Sequence, residues 1–308
     1  MRPLWLWWSS GKDAAWALEE LLDDDAWHVT ALVTTIDAST ERIPFQNTGR
    51  ALLELQASAT GLPLHVVELP PSCPNDAYER AFAALAARAR DEGVDAMAFG
   101  DLALDDVRVW REGLLRRHGM DAHFPLWGRD TTQLARTMID GGLEAVITTV
   151  DPRRLDRAWL GRDFDHAFLD ALPDDVDPCG ENGEFHTFVH AGPMLIDRLE
   201  VAVGQPFEQG DFVGAEPVQS LHVDGELDLH TIPPKQVGDL VDDYLDTCRA
   251  QGVLQVRIVH GKGIGALRET VHARLRRRDD VLEFGLGGAG AGSWGATLVR
   301  LQPLEDDR

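Results

Sequence analysis

The segment Trp8-Ser9-Ser10-Gly11-Lys12-Asp13-Ala14 lies where a short apolar run gives way to apolar residues at helical spacing. Small residues at such a turn let backbone N–H groups close around an anion, and the start of the helix adds partial positive charge. Lys12 would add a point charge. The loop is not a Walker A motif, which would need Gly at the place of Leu6 and Ser or Thr at the place of Asp13. The plainer alternative is an ordinary strand-to-helix turn with Asp13 as its N-cap. A second concentration of chemistry is basic. Residues 249–278 hold eight Arg and Lys, among them Lys262, Arg274, Arg276 and Arg277, against the single acid Glu269. Either this is an anion or nucleic-acid face, or the arginines complement a helix C-terminus. His186 and His190, with Cys179 nearby, have the i, i+4 spacing of a helical zinc site. Their context reads as a strand, which sets them about 13 Å apart, so no zinc site is expected.

The elements that must position these residues follow from periodicity. Apolar runs at 4–8, 29–36, 64–69, 96–99 and 145–150 read as strands, with 124–127 extended. Helical spacing appears at 14–22, 49–58, 77–89, 107–117 and 134–139. This alternation implies a parallel sheet with helices on both faces and a ligand at the carboxyl ends of the strands. Two short helical stretches and the polar segment DPCGENGEFHT follow, then β-like sequence with Gly204, Gly210 and Gly214. A linker is expected at 205–225. A module with the pattern βαβαββ then occupies 226–303, and no repeat relates it to residues 1–204.

Longer stretches carry resemblances. SSGKDA is similar to the pyrophosphate (PP) loop of the ATP pyrophosphatases, and RIPF (42–45), LLELQASATGLPL (52–64), PNDAYE (74–79), FGDLALDDVRVWRE (99–112), FPLWGRDTTQLA (124–135), LGRDFD (160–165) and DPCGENGEFHTFVHAGPM (177–194) together resemble the diphthine–ammonia ligase family in its bacterial-type branch. The resemblance runs in order through about two-thirds of the chain. It implies a Rossmann-like, HUP-type α/β domain that binds ATP and Mg²⁺, adenylates a carboxylate, and lets ammonia or an amine displace AMP. On that resemblance Ser9, Ser10, Gly11, Lys12 and Asp13, with Gly100 and Asp101, are the nucleotide-binding set. Asp13 is the metal ligand, with Asp101, Glu181 and Glu184 as further candidates. Glu181, Asn182 and Glu184 would position the nitrogen nucleophile, and Arg111 would offset acyl-phosphate charge. Ala14 stands where the family pattern usually has Ser, which removes a hydroxyl donor worth roughly 0.5–1.5 kcal/mol. Ser10 replaces a Gly of that pattern. Residues 227–301, with LDLH (227–230), HGKG (260–263) and GSWGATLVRL (292–301), resemble the Smr (small MutS-related) domain. That implies nucleic-acid binding or endonuclease activity. His230 and His260 are then acid–base candidates, Asp228 would orient an imidazole or hold a metal, and Gly261, Lys262 and Gly263 would meet a phosphate. Thr231 stands where LDLHG has Gly.

At about 150 residues per domain, 308 residues suggest two domains. A net charge of −23 excludes nucleic-acid binding over the whole surface but leaves a local patch open. Cys73, Cys179 and Cys248 are too scattered for a disulfide framework, so a reducing, cytoplasmic setting is expected. They also disfavour sulfur transfer, which tends to use paired cysteines. The apolar start is too short for a signal peptide, and no run approaches the roughly 18 apolar residues of a membrane helix. Two readings stand: an ATP-dependent amide-forming ligase fused to a nucleic-acid-binding Smr module, or a nucleic-acid-processing protein whose first domain binds nucleotide or modifies RNA.

Overall fold

The first strand, β1 (Arg2–Trp7), carries Leu4, Trp5 and Leu6 with no exposed surface, so both of its faces must be covered. In the computed structural model, which describes residues 1–71, 73–220, 225–229, 232, 237–261, 265–287 and 295–304, they are. α1 (Lys12–Leu22), β2 (Trp27–Asp37), α2 (Arg50–Ala59), β3 (Leu64–Leu69), α3 (Asn75–Asp91), β4 (Ala96–Ala98), α4 (Asp105–Arg117), β5 (Asp121–His123) and α5 (Thr131–Asp140) follow in turn. The five strands are parallel in the order β3-β2-β1-β4-β5. One face packs Leu4 and Leu6 against Leu18 and Leu53. The other packs Trp5 against Phe82, Leu85 and Leu115. The strand order reverses between β1 and β4, and a crevice opens there at the carboxyl ends of such strands.

A second sheet completes this unit. β6 (Glu144–Val150), β7 (Phe185–Ala191), β8 (Val201–Gln209) and β9 (Phe212–Gln219) form an antiparallel sheet in the order β7-β6-β9-β8. A 3-10 turn at Arg157–Trp159 and the short helix α6 (His166–Ala171) lie between β6 and β7. Three expectations are corrected here. Residues 145–150 are a strand but not part of the parallel sheet, because β7 and β9 flank β6 on both sides. Residues 124–127 form a turn, closed by the Trp127 N–H on the Phe124 carbonyl at 3.2 Å, and β5 ends before them. The proposed linker at 205–225 is mostly the β8–β9 hairpin. The chain divides instead into Met1–Gln219 and Ser220–Arg308. Its glycines mark a tight turn at Gly210 (φ +61°) and a close approach at Gly214, where a Cβ would fall 2.2 Å from Asn47 Nδ2.

In the second unit β10 (Glu226–Asp228), α7 (Val237–Ala250), β11 (Gln255–Val259), α8 (Ala266–Leu275), β12 (Val281–Leu286) and β13 (Ala296–Leu301) form a small α/β domain. Its sheet runs β10-β11-β13-β12, with only β10 and β11 parallel. Val237, Val241, Leu245 and Cys248 line one face of α7 and share a core with Val256, Ile258 and Val299. Among the described residues no helix is long and apolar enough to cross a membrane.

One polar side chain ties the first unit together behind the crevice. Gln56 of α2 is fully buried. It accepts from Trp8 Nε1 at 2.8 Å and donates to the Ser10 carbonyl at 3.1 Å and the Val189 carbonyl at 2.6 Å. Gln56→Leu keeps the volume but leaves buried groups without partners, each costing about 1–3 kcal/mol. The expected loss is at least about 1 kcal/mol in urea denaturation; an unchanged midpoint would contradict this role.

Candidate active site

The turn after β1 is built from an uncommon backbone. Ser10 has φ +69°, a left-handed conformation that favours glycine. Its hydroxyl bonds the Thr48 hydroxyl at 2.7 Å, and its carbonyl also accepts the Val189 N–H at 3.0 Å. Ser10 thus faces inward, with no exposed surface, and shapes the loop rather than lining the cavity. The turn delivers Gly11 to the start of α1, which has no side-chain cap. Asp13 is therefore not the N-cap but lies within the first turn.

A cavity of about 500 Å³ opens at this point. Ser9, Gly11, Lys12, Asp13 and Ala14 line it, with Gly100 and Asp101 from the β4–α4 connection, Arg111 from α4, and Glu181 and Asn182 from the loop before β7. Residues brought together from the β1–α1 turn, the β4–α4 segment and the approach to β7 thus meet at the switch point of the parallel sheet. Gly100 permits the approach: a Cβ there would lie 2.7 Å from the Asp13 carbonyl carbon.

Lys12 is 3% exposed. Its ammonium donates to both Asp13 oxygens, at 2.9 and 2.8 Å, and to the Cys179 carbonyl. Its backbone N–H donates to Thr187 Oγ1 at 3.0 Å. The Phe164 and Phe185 rings lie 5.8 and 5.6 Å from the ammonium. Burial is the largest influence and works against the charge, but Asp13, Cys179 and Glu181 together outweigh it and hold Lys12 above its ordinary range. Asp101 and Arg111 form a second pair, with Nε 3.0 Å from Oδ2. That contact is misaligned, so both buried atoms lack a hydrogen bond. Burial pushes the Asp101 carboxyl up against the pull of Arg111. The Arg111 guanidinium lies 4.2 Å from the Phe99 ring centre.

Glu184 departs from its expected place. It is 1% exposed, and its carboxylate accepts from the Asp177 N–H (3.1 Å), the Asn182 N–H (2.9 Å) and Asn182 Nδ2 (2.9 Å). It folds the GENGE loop and is not part of the cavity wall. Asn182 lines the cavity but commits its amide to Glu184. Glu181 is the acid of that loop that faces the cavity. Burial, then the charges of Asp13, Asp177 and Asp101, push its carboxyl up to about 7, against the opposing pull of Lys12. Burial pushes the Cys179 thiol up to about 12 and holds His186 down at about 4. Among the described residues no three His, Cys, Asp or Glu side chains make a ready metal site. Thr187, Asp177, Gln56 and Thr48 were not foreseen as contributors. Gln56 had a signal, as the polar member of the apolar stripe of α2.

In the second unit the two motif strands lie side by side. Asp228 pairs in register with Val259, and the Leu229 N–H donates to the Val259 carbonyl at 2.8 Å. Asp228 is exposed and His260 buried. His230, Thr231, Lys262, Gly263 and residues 288–294 of the glycine-rich run lie outside the described residues. The expected basic face is corrected. Arg274 pairs with Asp239 (2.9 Å) and Asp242 (2.8 Å), and Arg278 with Asp242, Asp246 and Asp280. Arg249 and Arg257 meet Asp280 and Glu226. Acids of α7 and of neighbouring strands and turns neutralise much of the cluster, and among the described residues Arg276 and Arg277 stand exposed at the end of α8.

The fold and the cavity define a Rossmann-like α/β domain with a polar, ion-paired site at its switch point, in a chain that ends with a small α/β module. Residues 1–122 match the diphthamide synthase N-terminal domain, residues 130–213 the diphthamide synthase C-terminal domain, and residues 227–302 the Smr domain. The chain thus carries both diphthamide synthase domains in order, followed by an Smr domain. The curated relatives are similar in only about a quarter of the chain. The endonuclease MutS2 of Symbiobacterium thermophilum is 42% identical over 77 residues, 25% of this chain and 10% of that protein. The endonuclease MutS2 of Thermomicrobium roseum is 39% identical over 80 residues, 26% of this chain and 10% of that protein. The chain therefore spans about a tenth of the length of these relatives. Among solved structures, the Smr domain of Thermus thermophilus MutS2 has 38% identity, with 25% of this chain and 98% of that one covered and a TM-score of 0.25.

Glu181 generates a prediction. The folded chain keeps its proton at pH values where the unfolded chain, near 4.5, has lost it. The folded state then binds more protons, and stability falls as pH rises from 4.5 to about 7. Glu181→Gln removes that fall. The variant should gain stability relative to wild type from about pH 5 to about pH 8 in thermal unfolding; a pH-independent difference would contradict the raised pKa.

Proposed function

We propose that the first unit is an ATP-dependent ligase that adenylates a carboxylate, releases pyrophosphate, and lets ammonia or an amine displace AMP. The observation that carries this reading is the meeting, in one cavity, of an uncapped helix start, the buried cation of Lys12, the half-buried cation of Arg111 and the carboxylates of Asp13, Asp101 and Glu181. The residues fit a magnesium nucleotide. The start of α1 suits phosphate oxygens. Asp101 Oδ2 is buried with no hydrogen bond of its own, and Asp13 lies beside it at the cavity wall. One or two carboxylates are what Mg²⁺ needs when phosphates supply the rest. Magnesium, when bound, would offset phosphate charge.

In this reading Lys12 and the Gly11–Asp13 backbone hold the leaving pyrophosphate. Arg111 offsets charge at the acyl centre. Glu181, poised near neutrality, accepts a proton from the attacking nitrogen. Ala14 lines the cavity without a hydroxyl, which weakens nucleotide binding without preventing it. The diphthamide synthase match supports this ligase class, and the acyl substrate is a carboxylate still to be identified. The three free cysteines fit a reducing cytoplasm.

A second activity belongs to the Smr module. The names of the MutS2 relatives, and the exposed Arg276 and Arg277, support a role in handling DNA or RNA. Both ring nitrogens of His260 meet protein atoms, which favours binding over direct acid–base chemistry by that residue.

The test is product analysis of the purified chain with ATP, Mg²⁺, ammonium and a panel of carboxylates. AMP with pyrophosphate is expected, and Lys12→Ala should lower turnover by about 100-fold or more, with His260→Ala unchanged. ADP with phosphate, or bound nucleotide without turnover, would overturn the ligase reading. Strand cleavage lost in His260→Ala and kept in Lys12→Ala would move the weight to the second reading.

A further inference from the structure

Three consecutive backbone N–H groups in the loop before β7 turn back on one residue. Asp177 Oδ1 accepts the Cys179 N–H at 2.7 Å and the Glu181 N–H at 3.3 Å, and the Asp177 carbonyl accepts the Gly180 N–H at 2.8 Å. The other carboxylate oxygen accepts from Thr131 Oγ1, at the start of α5, at 2.7 Å. Thr131 is tied to the loop a second time, because its carbonyl accepts from the Cys179 thiol at 3.4 Å. Gly180 makes the tight turn possible. Its φ is +72°, and a Cβ there would lie 2.8 Å from the Phe185 carbonyl oxygen.

Peptide geometry then sets what the loop presents. In a planar trans peptide the N–H and the C=O point in opposite directions. The Gly180 N–H is aimed at Asp177, so the Cys179 carbonyl of the same peptide is aimed away from it. That carbonyl is the one that accepts from the Lys12 ammonium. The next N–H, held on Asp177 Oδ1, belongs to Glu181, whose side chain lines the cavity.

We propose that Asp177, anchored on α5 by Thr131, is a positioning residue that aims the Cys179 carbonyl at Lys12 and presents Glu181 to the cavity. Its consequence for nucleotide binding rests on the ligase reading of this site. Position, rather than charge, is the requirement. An Asn side chain keeps an oxygen for the two N–H groups, and its amide can donate to the Thr131 hydroxyl, which accepts as well as donates.

Lys12 is one of three lysines in the chain, so its reactivity can be read by peptide mapping. Reductive methylation of the full, folded chain reports how firmly the ammonium is held, without any activity. The Lys12 rate is expected to rise about fivefold in Asp177→Ala, the scale of one neutral hydrogen bond, and to stay at the wild-type value in Asp177→Asn. An unchanged rate in Asp177→Ala, or an equal rise in both variants, would overturn the positioning role. Thr131→Val cuts the anchor from outside the loop and should also raise the Lys12 rate. It decides the question if Asp177→Ala does not fold, and an unchanged rate there would overturn the proposal. Calorimetry with Mg²⁺ and a non-hydrolysable ATP analogue reads the consequence. Both Asp177 variants lose the same charge, so the Ala variant should bind about fivefold more weakly than the Asn variant; equal affinities would overturn that consequence. The stated labelling pattern in a wild-type chain that binds no nucleotide would uphold the positioning role and overturn the nucleotide reading alone.

Discussion

Burying the Lys12 ammonium is the constraint on which the first unit depends. A charge taken out of water needs partners, and these come from two places in the chain. Asp13 is its neighbour on α1, and the Cys179 carbonyl belongs to the loop before β7, 167 residues away. The parallel sheet and the antiparallel sheet are therefore joined at the atom that faces the cavity. Thr187 repeats the link through the Lys12 backbone, and Gln56 repeats it from behind through Ser10 and Val189. The antiparallel sheet is thus one wall of the site and not an appendage to it.

Charge balance then sets what the cavity can do. Asp13 and Asp101 each face a cation, while Glu181 faces mainly other carboxylates and burial. Two acids of one loop are set apart by orientation. Glu184 points inward and holds the loop, whereas Glu181 points at the cavity and holds a proton near neutrality. Such a division gives two acids of one loop different surroundings within a few residues.

Much of the parallel sheet was legible because apolar runs at 4–8 and 29–36 and the helical stripes between them report burial directly. Strand direction was not, since β6 reads the same whichever way its neighbours run. Gly204, Gly210 and Gly214 looked like a linker because sequence does not separate a hairpin glycine from a flexible one. At the cavity, residue type indicated Lys12, Asp13, Asp101, Arg111 and Glu181, whose charges must collect somewhere. It could not say which of Glu181 and Glu184 turns inward. The basic cluster misled for a related reason: the acids that neutralise Arg274, Asp239 and Asp242, lie 35 and 32 residues earlier, on a different helix. Local charge counting does not see such pairs.

In the proposed reading the start of α1, with Lys12 at its base, is a phosphate cradle at the switch point of the sheet. The most direct measurement is a structure of the chain with Mg²⁺ and a non-hydrolysable ATP analogue. The terminal phosphates are expected against the Gly11–Asp13 backbone, with the metal within reach of Asp101. Phosphates bound away from this loop, or a cavity left empty while the nucleotide occupies another site, would contradict it.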